Sequence, residues 1–292
     1  MSIPLNDSLS SPRFFADSYM SYEIDKADYT CDPNTEFSLT YPEERDFKMK
    51  PDNLVKYKIN NYGHRSDDFK TLDKNKTNIL FAGCSITFGV ALPEQYRWSK
   101  MLYNELDIDS KGEYHCLGFL GGGSDKIVSN IMKYCNQFGN PDIIFVLYSD
   151  FTRQTKYIEQ SGHFMSKIEA DYSTRPIGIK NAELAYDLFT QTQAYIRILE
   201  IFCKSHNITL ITSCWDSKTA DDLEKLDLKN LYKMGYIDPS YIDFSSIPKE
   251  YEKFLIKARD NHHDGIINNI MMKDFFLNLY HSSVKSISGP RD

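Results

Sequence analysis

Hydrophobic and polar positions along the chain fall into two regimes. Up to about residue 76 they show no sustained period, and Asp, Ser, Pro, Tyr and Asn are common. One run there alternates, Val55-Lys56-Tyr57-Lys58-Ile59-Asn60, and reads as an edge strand. The turn-like Asn61-Tyr62-Gly63-His64-Arg65-Ser66 follows it. From residue 77 onward, short unalternating apolar runs take turns with longer segments of helical spacing. The strand candidates are Asn78–Ala82, Tyr114–Phe119, Asp142–Tyr148 and Ile208–Cys214, each apolar throughout, as strands covered on both faces should be. Helices are predicted over Glu94–Glu105, Ser124–Phe138, Asn181–Ser205, Pro248–Lys257 and Ile266–Tyr280, with Ser124 as an N-cap. Strand–helix alternation predicts a three-layer α/β/α core with a mostly parallel central sheet.

The expected organisation is an N-terminal arm and hairpin over 1–76, a core over 77–285, and a short tail over 286–292. Two insertions interrupt the core, at about 151–180 and 215–247. The first is polar and mixed, with Gly162, Pro176 and Gly178; the second carries Asp221, Asp222, Tyr232, Tyr236, Tyr241 and Phe244. Both follow strands directly, so both belong to the carboxyl edge of the sheet, where long excursions shape or cover binding sites. Surface decoration is the plainer reading of each.

Composition narrows the classes of function. With 292 residues and 41% hydrophobic content the chain can bury a sizeable core. A net charge of −7, without a compensating Lys/Arg block, argues against nucleic acid as a partner. Cys31, Cys84, Cys116, Cys135, Cys203 and Cys214 lack CxxC or metal-ligand spacing, and most sit in apolar runs. No apolar stretch is long enough to span a bilayer, and Met1–Asp7 has neither a basic start nor an apolar core of a signal peptide. A cytoplasmic location, no membrane partner and no disulfides are therefore expected.

Candidate chemistry begins at Asn78-Ile79-Leu80-Phe81-Ala82-Gly83-Cys84-Ser85-Ile86-Thr87-Phe88-Gly89, an apolar strand that ends in a small-residue turn with a serine at its tip. Gly83 is expected to permit a sharp turn by its conformational freedom. A serine nucleophile needs a base, an acid to orient that base, and donors for the developing oxyanion. Seven histidines could serve: His64, His115, His163, His206, His262, His263 and His281. In Asp260-Asn261-His262-His263-Asp264-Gly265 a carboxylate three residues before a histidine can bend back to meet its ring. The same pair could be a surface loop; as a metal site it lacks a third cluster of ligands. Gly121-Gly122-Gly123 before Ser124 would let backbone N–H groups approach a ligand, although the run matches neither a Walker loop nor GxGxxG. Ser149 after the third strand could supply another donor, and Arg153 could meet an anionic substrate group; both could equally be solvated loop residues.

The order of these blocks resembles the SGNH (GDSL-type) hydrolase family. Gly83-Cys84-Ser85-Ile86-Thr87-Phe88-Gly89 is similar to its Gly-Asp-Ser block with a Thr-x-Gly ending. Cys116-Leu117-Gly118 with Gly121 resembles its Asn-x-Gly block, and Asp260-Asn261-His262-His263 resembles its Asp-x-x-His block. Asn60-Asn61-Tyr62-Gly63-His64-Arg65 looks like an Asn-x-x-Gly-x-Arg stretch found upstream in some members. The resemblance implies a flavodoxin-like α/β/α architecture and hydrolysis of an ester without a cofactor. It implies Ser85 as nucleophile, His263 as base and Asp260 as orienter, with the backbone of Ser85 and Gly118, and Ser149, at the oxyanion. Gly121, Arg153 and His262 are the residues expected to bind substrate, an O-acyl or O-acetyl ester of a carbohydrate or small polar metabolite. Two departures stand out. Cys84 replaces the usual Asp, and Tyr148-Ser149-Asp150 replaces the Gly-x-Asn-Asp block whose Asn donates to the oxyanion. Loss of such a donor costs about 2–4 kcal/mol of transition-state stabilisation. The rival expectation is a silent binding module that keeps the fold and holds a glycan or a protein.

Overall fold

A computed structural model describes residues 36–43, 48–119, 123–151, 153–158, 163–168, 179–215, 231–234, 239–256 and 265–287. Its centre is a four-stranded sheet built from β3 (Thr77–Gly83), β4 (Lys111–Gly118), β5 (Ile143–Tyr148) and β8 (Thr209–Cys214), in the order β4-β3-β5-β8. All three pairings are parallel, as the unalternating apolar runs require. Successive side chains of these strands go to opposite faces. Leu80, Ala82, Ile144, Val146 and Tyr148 join one core cluster with Ile127 and Ile131 of α3 (Ser124–Phe138) and Ile196 and Leu199 of α4 (Ile179–Ser205). Ile79, Phe81, Phe145 and Leu147 join the other, with Trp98 and Leu102 of α2 (Trp98–Glu105) and Met272 and Phe276 of α5 (Ile266–Ile287). The molecule is thus three layers, α/β/α, with the sheet covered on both faces.

The alternating run at residue 55 ends β2 (Lys48–Lys58), which pairs antiparallel with β1 (Glu36–Glu43) as a hairpin separate from the central sheet. Val55, Tyr57 and Ile59 are buried while Lys56 and Lys58 are exposed, and the Tyr57 ring stacks on Phe88 at 5.7 Å. Within the first insertion, β6 (Arg153–Ile158) and β7 (His163–Ile168) form a second antiparallel hairpin. In the second, Leu231 bridges Thr212, and short 3-10 turns run over Pro239–Tyr241 and Phe244–Ser246.

Four elements depart from the sequence expectation. The helix predicted over Glu94–Glu105 is a 3-10 turn, Glu94–Tyr96, then α2, with Arg97 between them in an extended conformation (φ −69°, ψ 131°). An additional one-turn helix, α1 (Ser85–Phe88), follows β3 directly. The segment predicted as helical over Pro248–Lys257 is a 3-10 helix, Lys249–Phe254. The N-cap of α3 is Gly123, and Ser124 is the first helical residue, so it does not cap with its side chain.

The strand order reverses at β3. The chain leaves β3 for β4 on one side, then crosses back to β5 on the other and moves away to β8. Connections from the adjacent strands β3 and β5 therefore diverge, which opens a crevice at their carboxyl ends, where open α/β sheets bind ligands.

Candidate active site

Ser85 follows the carboxyl end of β3, at that reversal of strand order. Cys84 is the N-cap of α1 (φ −89°, ψ −152°) and is fully buried; Ser85 is the first helical residue and 8% exposed. The turn is closed by Phe88 N–H to the Cys84 carbonyl at 3.0 Å and Gly89 N–H to the Ser85 carbonyl at 2.9 Å. Gly89 ends α1 at φ 72°, a left-handed conformation that glycine adopts without strain.

Gly83 serves for a different reason from the one expected. Its φ is not positive, so conformational freedom is not what the turn asks of it. Space is: a Cβ there would lie 2.1 Å from Thr87 Oγ1 and 2.8 Å from the Leu147 carbonyl. Gly118 meets the same constraint, since its Cβ would lie 2.5 Å from Phe88 N and 2.7 Å from Thr87 C. The single turn carrying Ser85 therefore sits directly on the ends of β3 and β4.

Register brings the other blocks alongside. Gly83 pairs with Gly118 on β4 and with Leu147 on β5, so Ser85 and Ser149 both lie two residues past the paired ends of adjacent strands. Parallel neighbours are about 4.8 Å apart. Ser149 is fully buried, and its hydroxyl donates to the Asp150 carbonyl at 3.4 Å. Arg153 pairs with Asp150 at 2.9 Å, and its guanidinium lies over the Trp215 ring at 5.4 Å. Its charge is thus matched by a carboxylate of the same loop. Its carbonyl also fills the space beside Gly123, where a Cβ would approach it to 2.2 Å.

Asp260, His262, His263 and Gly121 lie outside the described residues. The residues that flank the Asp260–His263 segment are joined: Gly265 N–H donates to the Ile256 carbonyl at 3.1 Å, and Ile267 N–H to the Leu255 carbonyl at 3.0 Å. This root packs beside the Ser85 turn's continuation, with Tyr251 on Tyr96 (5.1 Å between rings) and Asn269 Oδ1 accepting from Trp98 N–H at 3.1 Å.

The remaining described histidines differ in setting. His64 is fully buried, and desolvation pushes it down to about 3, with the Gly118 backbone acting in the opposite direction, so it is neutral and weakly basic at neutral pH. His115 is likewise lowered by burial and bonds to Tyr134 Oη. His206 precedes β8 at the amino edge of the sheet, and His281 is exposed late in α5. Lys126, in the first turn of α3, is brought down to about 7 by burial and by Lys133.

Sequence reasoning missed two buried arginines, bridged by a part-exposed glutamate, beneath the serine turn. Arg65 and Arg97 are 1% and 0% exposed and share Glu94 between them, at 2.8 Å from Arg65 Nε and 2.9 Å from Arg97 Nη1. Burial works against both guanidiniums, and Glu94 supports both; the Glu94 carboxyl, although burial would raise it, is held below its ordinary value by Arg97 and Arg65. The available signal was Arg65 at the end of the Asn-x-x-Gly-x-Arg stretch; Arg97 carried none.

No family profile and no curated protein matches the chain. Among solved structures it is similar to a candidate acylhydrolase from Bacteroides fragilis, at 13% identity over 73% of this chain and 90% of that one, with a TM-score of 0.41. A candidate lipolytic protein of the G-D-S-L family from Desulfitobacterium hafniense aligns at 10% identity over 70% and 99%, with a TM-score of 0.41. A psychrotrophic esterase from a Pseudoalteromonas species, inhibited by monoethylphosphonate, aligns at 10% identity over 72% and 100%, with a TM-score of 0.40.

Proposed function

We propose that the chain is a serine hydrolase of the SGNH type that cleaves an ester through an acyl-enzyme on Ser85. The observation that carries this reading is the setting of Ser85: first residue of a one-turn helix, at the carboxyl end of β3, where the strand order reverses. In the reaction, Ser85 Oγ attacks the ester carbonyl while the ring of His263 takes its proton, with Asp260 orienting that ring. Collapse of the tetrahedral adduct expels the alcohol, which receives the proton from His263. Water, activated by the same ring, then releases the carboxylic acid and frees Ser85. Backbone N–H groups of Ser85 and Gly118 would face the oxyanion. Substrate is an O-acyl ester of a carbohydrate or small polar metabolite, with Arg153, Gly121 and His262 near it; a sugar hydroxyl in place of water would give acyl transfer on the same intermediate.

One observation favours the rival, a silent binding module. Ser149 is buried and its hydroxyl donates to the Asp150 carbonyl at 3.4 Å, which draws that donor away from the role of the missing Asn. A fluorophosphonate probe followed by peptide mapping separates the two. The hydrolase reading expects covalent labelling at Ser85, abolished in Ser85→Ala and slowed at least about a hundredfold in His263→Ala. A folded protein that stays unlabelled at Ser85 and turns over none of a panel of acetyl, short-acyl and glycan esters would leave the binding module standing.

A further inference from the structure

We propose that Arg65 and Arg97, bridged by Glu94, are positioning residues that hold the Ser85 turn in its reactive geometry. This rests on Ser85 being the nucleophile. A helix of four residues cannot hold itself in water, because nucleation costs more than one turn returns. Its last carbonyls also lack N–H partners within the helix. Here they are taken by two guanidiniums. Arg97 Nη2 donates to the Thr87 carbonyl at 3.1 Å. Arg65 Nη1 donates to the Gly89 carbonyl at 2.6 Å and more loosely to that of Phe88 at 3.4 Å, and its Nη2 reaches the Leu92 carbonyl at 3.0 Å.

All four carbonyls belong to the stretch that immediately follows Ser85. Gly89 and Val90 in turn donate their N–H groups to the Ser85 carbonyl at 2.9 and 3.3 Å, so a shift of that stretch is a shift of Ser85. The clamp is itself anchored. Arg65 Nη2 also bonds the Lys56 carbonyl at 3.1 Å, Arg97 Nη1 bonds the Arg65 carbonyl at 2.9 Å, and the Arg65 guanidinium lies over the Tyr57 ring at 4.4 Å. Tyr57 Oη completes the fixture by accepting from Ala91 N–H at 2.7 Å. The hairpin at β2, the strand end at β3 and the start of α2 are thereby tied to one turn.

Stability alone does not explain this construction. Taking a charge out of water is costly, so two guanidiniums buried under one turn point to geometry as what they supply. Only arginine fits, because a planar fork reaches several carbonyls at once where an ammonium is a single point. Cations at the carboxyl end of α1 also complement its dipole.

The test compares wild type with Arg65→Lys and Arg97→Lys, each checked for folding by near-UV circular dichroism. Three experiments are run: the fluorophosphonate inactivation constant at Ser85, kcat and KM on p-nitrophenyl acetate, and amide hydrogen exchange of residues 85–92 against residues 143–148. Positioning expects inactivation and kcat to fall about tenfold or more with KM within about twofold, since small displacements of reacting groups act on kcat. It also expects faster exchange over 85–92 with β5 unchanged. Folded variants with wild-type inactivation and exchange overturn it. Should neither lysine variant fold, Glu94→Gln takes their place: its side chain is 42% exposed, and it removes the bridging charge while leaving both guanidiniums. The same pattern at smaller amplitude is expected there, and wild-type values overturn the proposal. If wild type itself is not labelled at Ser85, the hydrolase reading fails, and the exchange arm alone decides whether the clamp holds the turn.

Discussion

Single residues at the serine turn are fixed by contact distance rather than by general preference. Gly118 has backbone on the far side of its missing Cβ, 2.5 Å away, and backbone cannot step aside as a flexible side chain would. Gly118→Ala is expected to cost about 1–3 kcal/mol, read as a shift of the urea midpoint at constant slope, and to slow labelling of Ser85. A midpoint within error of wild type would show that the turn is loosely seated. His64 makes a pH-dependent prediction. Its folded value of about 3 lies below the ordinary 6.5, so the unfolded chain binds the extra proton between those limits. Stability contributed by the neutral ring is therefore complete above pH 6.5 and is lost as pH falls through this window. Between pH 4 and 6 the stability of wild type should fall more steeply than that of His64→Gln, by about 1.4 kcal/mol per pH unit. Parallel slopes in urea titrations would contradict it. At this scale the sequence was half legible. The turn after β3 and the strand end at Gly118 could be read from their blocks, whereas the reason for Gly83 could not, because a close approach to Thr87 and Leu147 exists only once β3, α1 and β5 have met.

Elements were legible where one environment governed a whole run. The four core strands are apolar without alternation because α3 and α4 cover one face of the sheet and α2 and α5 the other. Legibility failed where one buried side chain overrode local propensity. Glu94 to Glu105 has helical spacing, yet Arg97 leaves the helix, and its guanidinium reaches the Thr87 and Arg65 carbonyls. Its partners stand far back in the chain, so no window of sequence displays the need. The joint between α2, α5 and the sheet is an aromatic stack: Trp98 on Phe276 at 4.7 Å and 19°, and Phe81 on Phe145 at 5.3 Å and 11°. Phe276, fully buried against Trp98 and Phe145, should cost about 3–5 kcal/mol as Phe276→Ala. The neighbouring Phe275→Ala, at a partly buried position, should cost clearly less in the same denaturation series. Equal losses would mean that α5 docks by its overall apolar character rather than through this stack.

At the scale of the whole molecule, topology ties together segments that the sequence keeps far apart. The order β4-β3-β5-β8 reverses between β3 and β5, and the serine turn and Ser149 follow the carboxyl ends of those strands while Gly118 is the last residue of β4. Strand order is set by pairing and crossover, neither of which is written in any local window, so the blocks and their common carboxyl edge could be read from the sequence but which strands are neighbours could not. Ile256 and Gly265 are joined backbone to backbone, and their neighbours Tyr251 and Asn269 pack on Tyr96 and Trp98, just past the serine turn. A covalent adduct at Ser85 should therefore leave a footprint set by topology rather than by sequence distance. After saturation with a phosphonate probe, amide exchange should slow at Ser85–Phe88, at Gly118–Phe119, after Tyr148, and in the peptide spanning Asp260–His263. The amino edge, at Lys76–Asn78 and His206–Ile208, should exchange as in the free protein. Protection confined to residues 85–88 would mean that the strand ends do not share one site. Protection that includes the Asp260–His263 peptide, lost when His263→Ala is treated in the same way, would tie base and nucleophile to a single crevice. Slowed exchange at the amino edge would instead point to global tightening, and would remove the reversal of strand order as the reason the site lies where it does.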